Sequence, residues 1–455
     1  MQIKVAVILC ASVILVSGVA YTVIQPPARE TGYSTPVVPQ PHPTEPSGSN
    51  TSGSPPATPP VSNSTDPVGP ETNITDPTNL QDLVNASNLF ALELYRELTN
   101  PDANLFFSPY SIFTALGMTY EGARNRTADE IRAVFHFPAD NQTRWSLFKS
   151  LIEKLNANES GCNLSTANAM WIQQDFNILN GYVNTVRTYY KAEAVNVDYI
   201  KATEAARLRI NGWVENQTNG KIKDLIPQGV LTSDTRLVLT NAIYFKGDWR
   251  LAFNESLTNE MDFHPDAATS VKAQMMIRKD DESIYNYTAV DGLQILRMPY
   301  TGDKLSMLVL LPKAGAMETL EKALTPENLS AWKGKLKEQE VHVYLPKFKL
   351  ETKYFLGDNL SAMGMPTAFS MAADFSKIDG GQDLYISAVI HQAYVSVDEK
   401  GTEAAAATAV IIPPKSGPVE PVIPAFKADH PFIFLIQDDE TGNILFMGKV
   451  VNPTG

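Results

Sequence analysis

The side chain best placed to do chemistry is a lysine. Lys415 follows Pro413-Pro414 and precedes Ser416. Two prolines forbid helix and stiffen the backbone, so the ammonium is displayed on a rigid, exposed segment. Trypsin-like serine proteases carry a carboxylate in their specificity pocket, and a lysine presented this way is bait for one. Upstream lies DEKGTEAAAATAVII, residues 398–412, in which Glu403 is followed by Ala404, Ala405, Ala406, Ala407 and Thr408. Alone, EAAAATA is a helix signal, because alanine has the best helix propensity. Its flanks favour extended chain: AYVSV (393–397) reads as a strand, Gly401 interrupts, and Val410-Ile411-Ile412 is β-branched.

Other chemistries find little support. His42, His136, His264, His342, His391 and His430 never fall at metal-ligand spacing, so they read as structural or surface histidines. There is no G-x-S-x-G elbow, H-E-x-x-H helix or phosphate-binding glycine loop. Asp379-Gly380-Gly381-Gln382-Asp383 lacks the ligand register of a calcium loop and reads as a turn. Asp280, Asp281 and Glu282 read as a solvated loop. No metal, cofactor or enzymatic activity is expected. The chain has 455 residues and a net charge of -13, with no basic run, which argues against a nucleic-acid or heparin partner. Cys10 lies in the apolar N-terminal segment, so Cys162 has no obvious disulfide partner and reads as a structural thiol.

Stepping along the chain, residues 1–24 form an export segment: residues 5–23 carry no charge, as a cleaved signal peptide or a retained membrane anchor requires. Residues 25–79 are rich in Pro, Ser, Thr and Gly and read as a disordered stalk. N-x-S/T acceptors recur from Asn50 to Asn359, so a glycoprotein is expected outside the cell, secreted or tethered to its outer face. The folded domain is 80–455. Leu83, Phe90, Leu94 and Leu98 set a helix with Asp82 as its cap, and Leu147, Leu151 and Leu155 mark another. TRLVLTNAIYFKGDW (235–249) reads as a strand ending at a glycine turn, and KLSMLVLLPK (304–313) as a strand buried on both faces. PFIFLIQDDETGNILFMGKVV (431–451) reads as a hairpin. Helices come mostly first and strands later, an α+β class with large sheets.

Several of these stretches, in this order, resemble one family. NLFFSPYSI (104–112), INGWVENQTNGKIKDLI (210–226), LTNAIYFKGDW (239–249), VSVDEKGTEAAAATA (395–409), ADHPFIFL (428–435) and LFMGKVVNP (445–453) are similar to serpin motifs, and the resemblance covers residues 80–455. It implies a serpin fold of three β-sheets with about nine helices and an exposed reactive-centre loop. It implies a monomer that inhibits serine proteases as a suicide substrate, with cleavage at Lys415-Ser416, insertion of the loop into the main sheet and a trapped acyl-enzyme. The alternative is a non-inhibitory member with a binding or chaperone-like role. By the same resemblance Glu399, Gly401, Thr402, Glu403, Ala404, Ala405, Ala406, Ala407 and Thr408 form the hinge that inserts. Thr402, Ala404, Ala406 and Thr408 would face the core, and all four are small and uncharged. Ser108, Ser111, Asn241 and His391 match the cluster that controls sheet opening. Trp249, Lys347 and Glu399 match the groove where the loop first enters, with Glu399–Lys347 expected as a surface ion pair contributing about 1 kcal/mol or less. The segment from Ser416 to Phe426 is longer than usual for the family, which leaves the scissile bond open by a residue or two. No basic helix follows Phe137, so the glycosaminoglycan site of heparin-activated members is not expected.

Overall fold

A computed structural model describes residues 78–155, 162–402 and 423–454, all within the unit Thr72–Gly455. The first segment builds helix. Asn79 caps α1 (Leu80–Leu98), its side chain accepting from the Asp82 backbone N–H while the Asp82 carboxylate accepts from the Asn79 N–H. The expected cap at Asp82 is therefore the other half of a reciprocal capping box, because a carboxylate three residues into a helix reaches back to the residue that starts it. After β1 (Leu105–Phe107), Ser108 caps α2 (Pro109–Tyr120), a helix buried on all sides from Pro109 to Thr119. Then come α3 (Asn125–Phe135) and α4 (Asn141–Leu155). The buried stripe of α4 is Arg144, Phe148, Leu151 and Ile152 rather than Leu147, Leu151 and Leu155. Arg144 turns inward because Glu121 neutralises it through two short bonds, 2.6 and 2.9 Å, so a charged residue occupies a core position that a count of leucines misses.

The middle of the chain adds β2 (Cys162–Gln173), α5 (Asn180–Tyr190), β3 (Glu193–Val197), α6 (Thr203–Gln217) and β4 (Leu237–Asp248). Strands then dominate: β5 (Asn259–Phe263), β6 (Val271–Arg278), β7 (Ile284–Val290), β8 (Leu293–Pro299) and β9 (Leu305–Pro312). Short helices α7 (Met317–Ala323) and α8 (Pro326–Lys333) lead to β10 (Lys337–Glu340), β11 (His342–Pro346) and β12 (Phe348–Phe355). The last described stretches hold α9 (Gly357–Ala362), α10 (Ser376–Asp379), β13 (Ile386–Val397), β14 (Gly401–Thr402), β15 (Ala425–Lys427), β16 (Phe432–Asp438) and β17 (Ile444–Val450). Ten helices stand among the described residues, one of them the single turn α10, against about nine expected. The segment 379–383 is a turn, closed by left-handed Gly380 and by the Asp379 carboxylate accepting from Gly381.

Three sheets result. One has seven strands in the order β1-β17-β16-β9-β8-β7-β10, and a second has four, β15-β11-β6-β5. The third, the main sheet, runs β12-β13-β14-β4-β2-β3, with β13 also paired directly to β4. Odd-numbered residues of β4 and β13, such as Leu239, Ile243, Val389 and Val395, face the larger core shared with α1 and α2. Even-numbered ones, such as Val238, Ala242 and Ile390, join Ile210, Val214 and Ile222 in a second core under α6. The main sheet is therefore covered on both faces, which is why its strands read as apolar runs. Gly247 lies inside β4 rather than at a turn. A Cβ there would fall 2.7 Å from the Phe245 ring and 2.9 Å from that of Tyr300, so the glycine keeps a strand open where aromatic rings crowd it.

Candidate functional site

The main sheet is divided at one end. β13 and β4 pair in parallel from Ile386↔Leu237 to Tyr394↔Tyr244. Beyond that point the two-residue strand β14 occupies the space between them, antiparallel to both: Thr402 stands opposite Val397 and Gly247, and Gly401 opposite Asp248. Asp398 makes the return possible. Its carboxylate accepts from the N–H groups of Lys400 and Gly401, closing the charged DEKG turn. Gly401 is required by the close approach, since a Cβ would sit 2.1 Å from the Gly247 carbonyl oxygen. Thr402 is fully buried, as its inward position implies, and its hydroxyl lies 2.8 Å from that of Tyr300. Tyr300 in turn stacks on Trp249, centroids 4.6 Å apart.

Trp249, Lys347 and Glu399 meet at this fork. The Trp249 indole donates to the Asp398 carbonyl at 3.0 Å, and Lys347 Nζ donates to Glu399 Oε2 at 2.8 Å. Thr258 donates to the other carboxylate oxygen at 2.8 Å. The pair is half-buried: Glu399 is 6% exposed, whereas the Lys347 side chain keeps 39% of its surface in solvent. Burial raises the carboxyl's pKa, but the bonds from Lys347 and Thr258 outweigh it and hold the group below the usual carboxylate range. The stabilisation is thus full above the ordinary carboxylate pKa, declines as pH falls below it and is lost as pH passes the lowered folded value. Lys347→Ala leaves a buried carboxylate with one partner and is expected to cost about 1–3 kcal/mol at pH 7 in urea unfolding. Adding Glu399→Gln should recover part of that loss; an additive double variant would refute the coupling. An open polar cavity of about 440 Å³, lined by Glu255, Thr258, Gln274, Lys347, Asp398, Glu399 and Lys400, fronts the fork.

Deeper along the same seam lies a polar cluster. His391 and Asn241 are register partners across the parallel ladder. The Ser108 N–H donates to His391 Nε2 at 3.0 Å, which assigns the ring proton to Nδ1, and Nδ1 donates to Asn241 Oδ1. Asn241 Nδ2 donates to Ser111 Oγ at 2.5 Å and to Asn168 Oδ1 at 2.6 Å, and Ser108 Oγ donates to the Leu445 carbonyl. The histidine is a structural lock, with every nitrogen satisfied. Burial pushes its pKa down to about 3. An opened or unfolded chain protonates near the ordinary value of about 6.5, so stability is full above that and declines as pH falls from there toward about 3. Denaturation midpoints should drop over this window by an amount worth a few kcal/mol, roughly, and His391→Gln should flatten the slope; an unchanged slope would refute the assignment.

Asn168 and Tyr300 escaped the sequence reading. Asn168 shares the inward face of β2 with Met170 and Ile172, and a polar residue at that phase was its one signal. Tyr300 follows β8 and carries no local signal at all. Glu403, Ala404, Ala405, Ala406, Ala407, Thr408, Lys415 and Ser416 lie outside the described residues, as does the apolar segment 5–23. Among the described residues no helix is long and apolar enough to cross a membrane, and no group of His, Cys, Asp and Glu could hold a metal. Cys162 opens β2 half-buried, and burial pushes its thiol up to about 12.

Known proteins share this fold. A family model described as "Serpin (serine protease inhibitor)" matches residues 85–453. A serpin-like protein of Thermococcus kodakarensis is 44% identical over 82% of this chain and 86% of its own length. Leukocyte elastase inhibitor A of Rattus norvegicus is 37% identical over 82% of this chain and its full length. Among solved structures, human thyroxine-binding globulin superposes with a TM-score of 0.76 at 34% identity, covering 83% of this chain and all of that one. Uncleaved ovalbumin gives 0.73 at 30%, covering 81% and all of that chain. The chain belongs to the serpin family, and its α+β architecture of three sheets is the serpin fold.

Proposed function

We propose that the protein inhibits trypsin-like serine proteases by a conformational trap. The protease serine hydroxyl attacks the Lys415 carbonyl, the amine of Ser416 departs, and Lys415 is left as an ester on the enzyme. The freed segment then continues β14. In the register already set by Thr402, Glu403 comes to lie between Ser396 and Lys246, and Thr408 between His391 and Asn241. The observation that carries this reading is β14 itself: two residues of a strand already seated between β13 and β4, aligned with the small residues that follow. Insertion replaces one parallel ladder by two antiparallel ones, which are slightly more stable per residue. At ~1 kcal/mol net for each added bond the gain is on the order of ten kcal/mol. About 15 residues at ~3.3 Å each carry the ester on the order of 50 Å.

The protease is met outside the cell, a reading supported by the uncharged segment 5–23 and the stalk behind it. Incubation with trypsin tests the trap. An SDS-stable complex is expected, together with a released fragment whose mass begins at Ser416. Complete nicking with no complex would favour the binding or chaperone-like alternative, and a fragment starting elsewhere would move the scissile bond.

A further inference from the structure

The turn after α6 carries a lysine that spans two strands of the main sheet from outside. Asn219 and Gly220 adopt left-handed backbone, φ 52° and 73°, and close the helix end. Ile222, fully buried in the core under α6, fixes the chain just beyond. Between these anchors Lys221 reaches over the outer face of the main sheet. Its Nζ stands 5.8 Å from the ring centroid of Tyr244 and 6.0 Å from that of Tyr394. Tyr244 on β4 and Tyr394 on β13 are register partners, the last of the parallel ladder before the sheet divides. Lys349 on β12 adds a second cation 5.1 Å from the Tyr394 ring.

We infer that Lys221 is a latch on loop insertion: by bridging Tyr244 and Tyr394 it holds β4 and β13 together at the fork and slows uptake of the new strand. The inference rests on the insertion mechanism proposed above. A strand placed between β4 and β13 moves the two rings from one strand spacing, about 4.8 Å, to two. At its present height over the sheet, roughly 5 Å from the two distances and the strand spacing, the ammonium would then stand about 7 Å from each ring, beyond the ~6 Å reach of the attraction. The attraction belongs to the closed sheet and not to the inserted one, so removing it lowers the barrier and leaves the product unchanged. Lys221 acts through the strands and touches no protease, so it is a positioning residue.

The test compares Lys221→Met, which keeps the apolar stem without the charge, with Lys221→Arg, which keeps the cation. Under saturating trypsin, Lys221→Met is expected to form SDS-stable complex about fivefold faster than the native protein, and Lys221→Arg within about twofold of it. The melting temperature of the nicked form should be the same for all three. Native protein that traps trypsin while Lys221→Met traps at the same rate would overturn the latch alone, as would an arginine variant as fast as the methionine one. Native protein that traps nothing would sink the insertion mechanism, and the latch with it.

Discussion

Thr402→Arg is expected to form at least about a hundredfold less covalent complex with trypsin while being cleaved as fast as the native protein. Thr402 is fully buried, faces the larger core and is paired to strands on both sides. A guanidinium without a counter-ion there expels β14 from the intact sheet, and the hinge must then be carried back in before the segment behind it can follow, at a cost of several kcal/mol, which is a factor of a hundred or more in rate. Hydrolysis of the ester then outruns insertion, and the inhibitor becomes a substrate. Thr402→Val separates this cause from misfolding. It keeps shape and neutrality and loses only the bond to Tyr300, so it should still trap within about tenfold of the native rate. Gel quantification of complex against cleaved protein decides the matter. An arginine variant that traps normally would show that the strand does not enter at Thr402.

The second large effect is thermal. Cleavage of the loop by a metalloprotease, which attacks with an activated water and leaves no ester to trap, frees the strand without consuming it. If insertion releases on the order of ten kcal/mol and unfolding a domain of this size carries roughly 0.8 kcal/mol/K of entropy, the melting temperature should rise by about 10 °C or more. Differential scanning calorimetry on intact and nicked protein measures it directly. Nicked protein that melts at or below the intact temperature would mean that the direct pairing of β13 with β4 is the final state of the sheet rather than one waiting for a strand.

Much of the architecture was legible because burial on both faces writes itself into composition. β9 and the β16–β17 hairpin stand where their apolar runs and turn residues put them. Helix α1 starts at Leu80, beside the change in composition that marks the domain. The differences share a cause: Asp82 completes a cap that Asn79 begins, α4 buries Arg144 and Phe148 in place of Leu147 and Leu155, and Gly247 continues a strand. In each case a partner distant in space, or a reciprocal bond, gave a residue a role that its neighbours do not advertise. Arg144 is the plainest instance, a core residue only because Glu121 meets it.

The amino-acid sequence alone carries the family resemblance, the small and uncharged inward set from Thr402 to Thr408, the lysine behind two prolines and the inward phase of Thr402. These follow from local stiffness, side-chain size and the two-residue period of a strand, none of which needs a partner. Only the tertiary structure decided that Glu399 is buried beside Lys347 and Thr258, that His391 locks Asn241 across the seam with Asn168 behind it, and that Lys221 covers two tyrosines. Each of those contacts joins residues far apart in the chain, and their energies depend on burial and distance, which exist only once the sheet has formed.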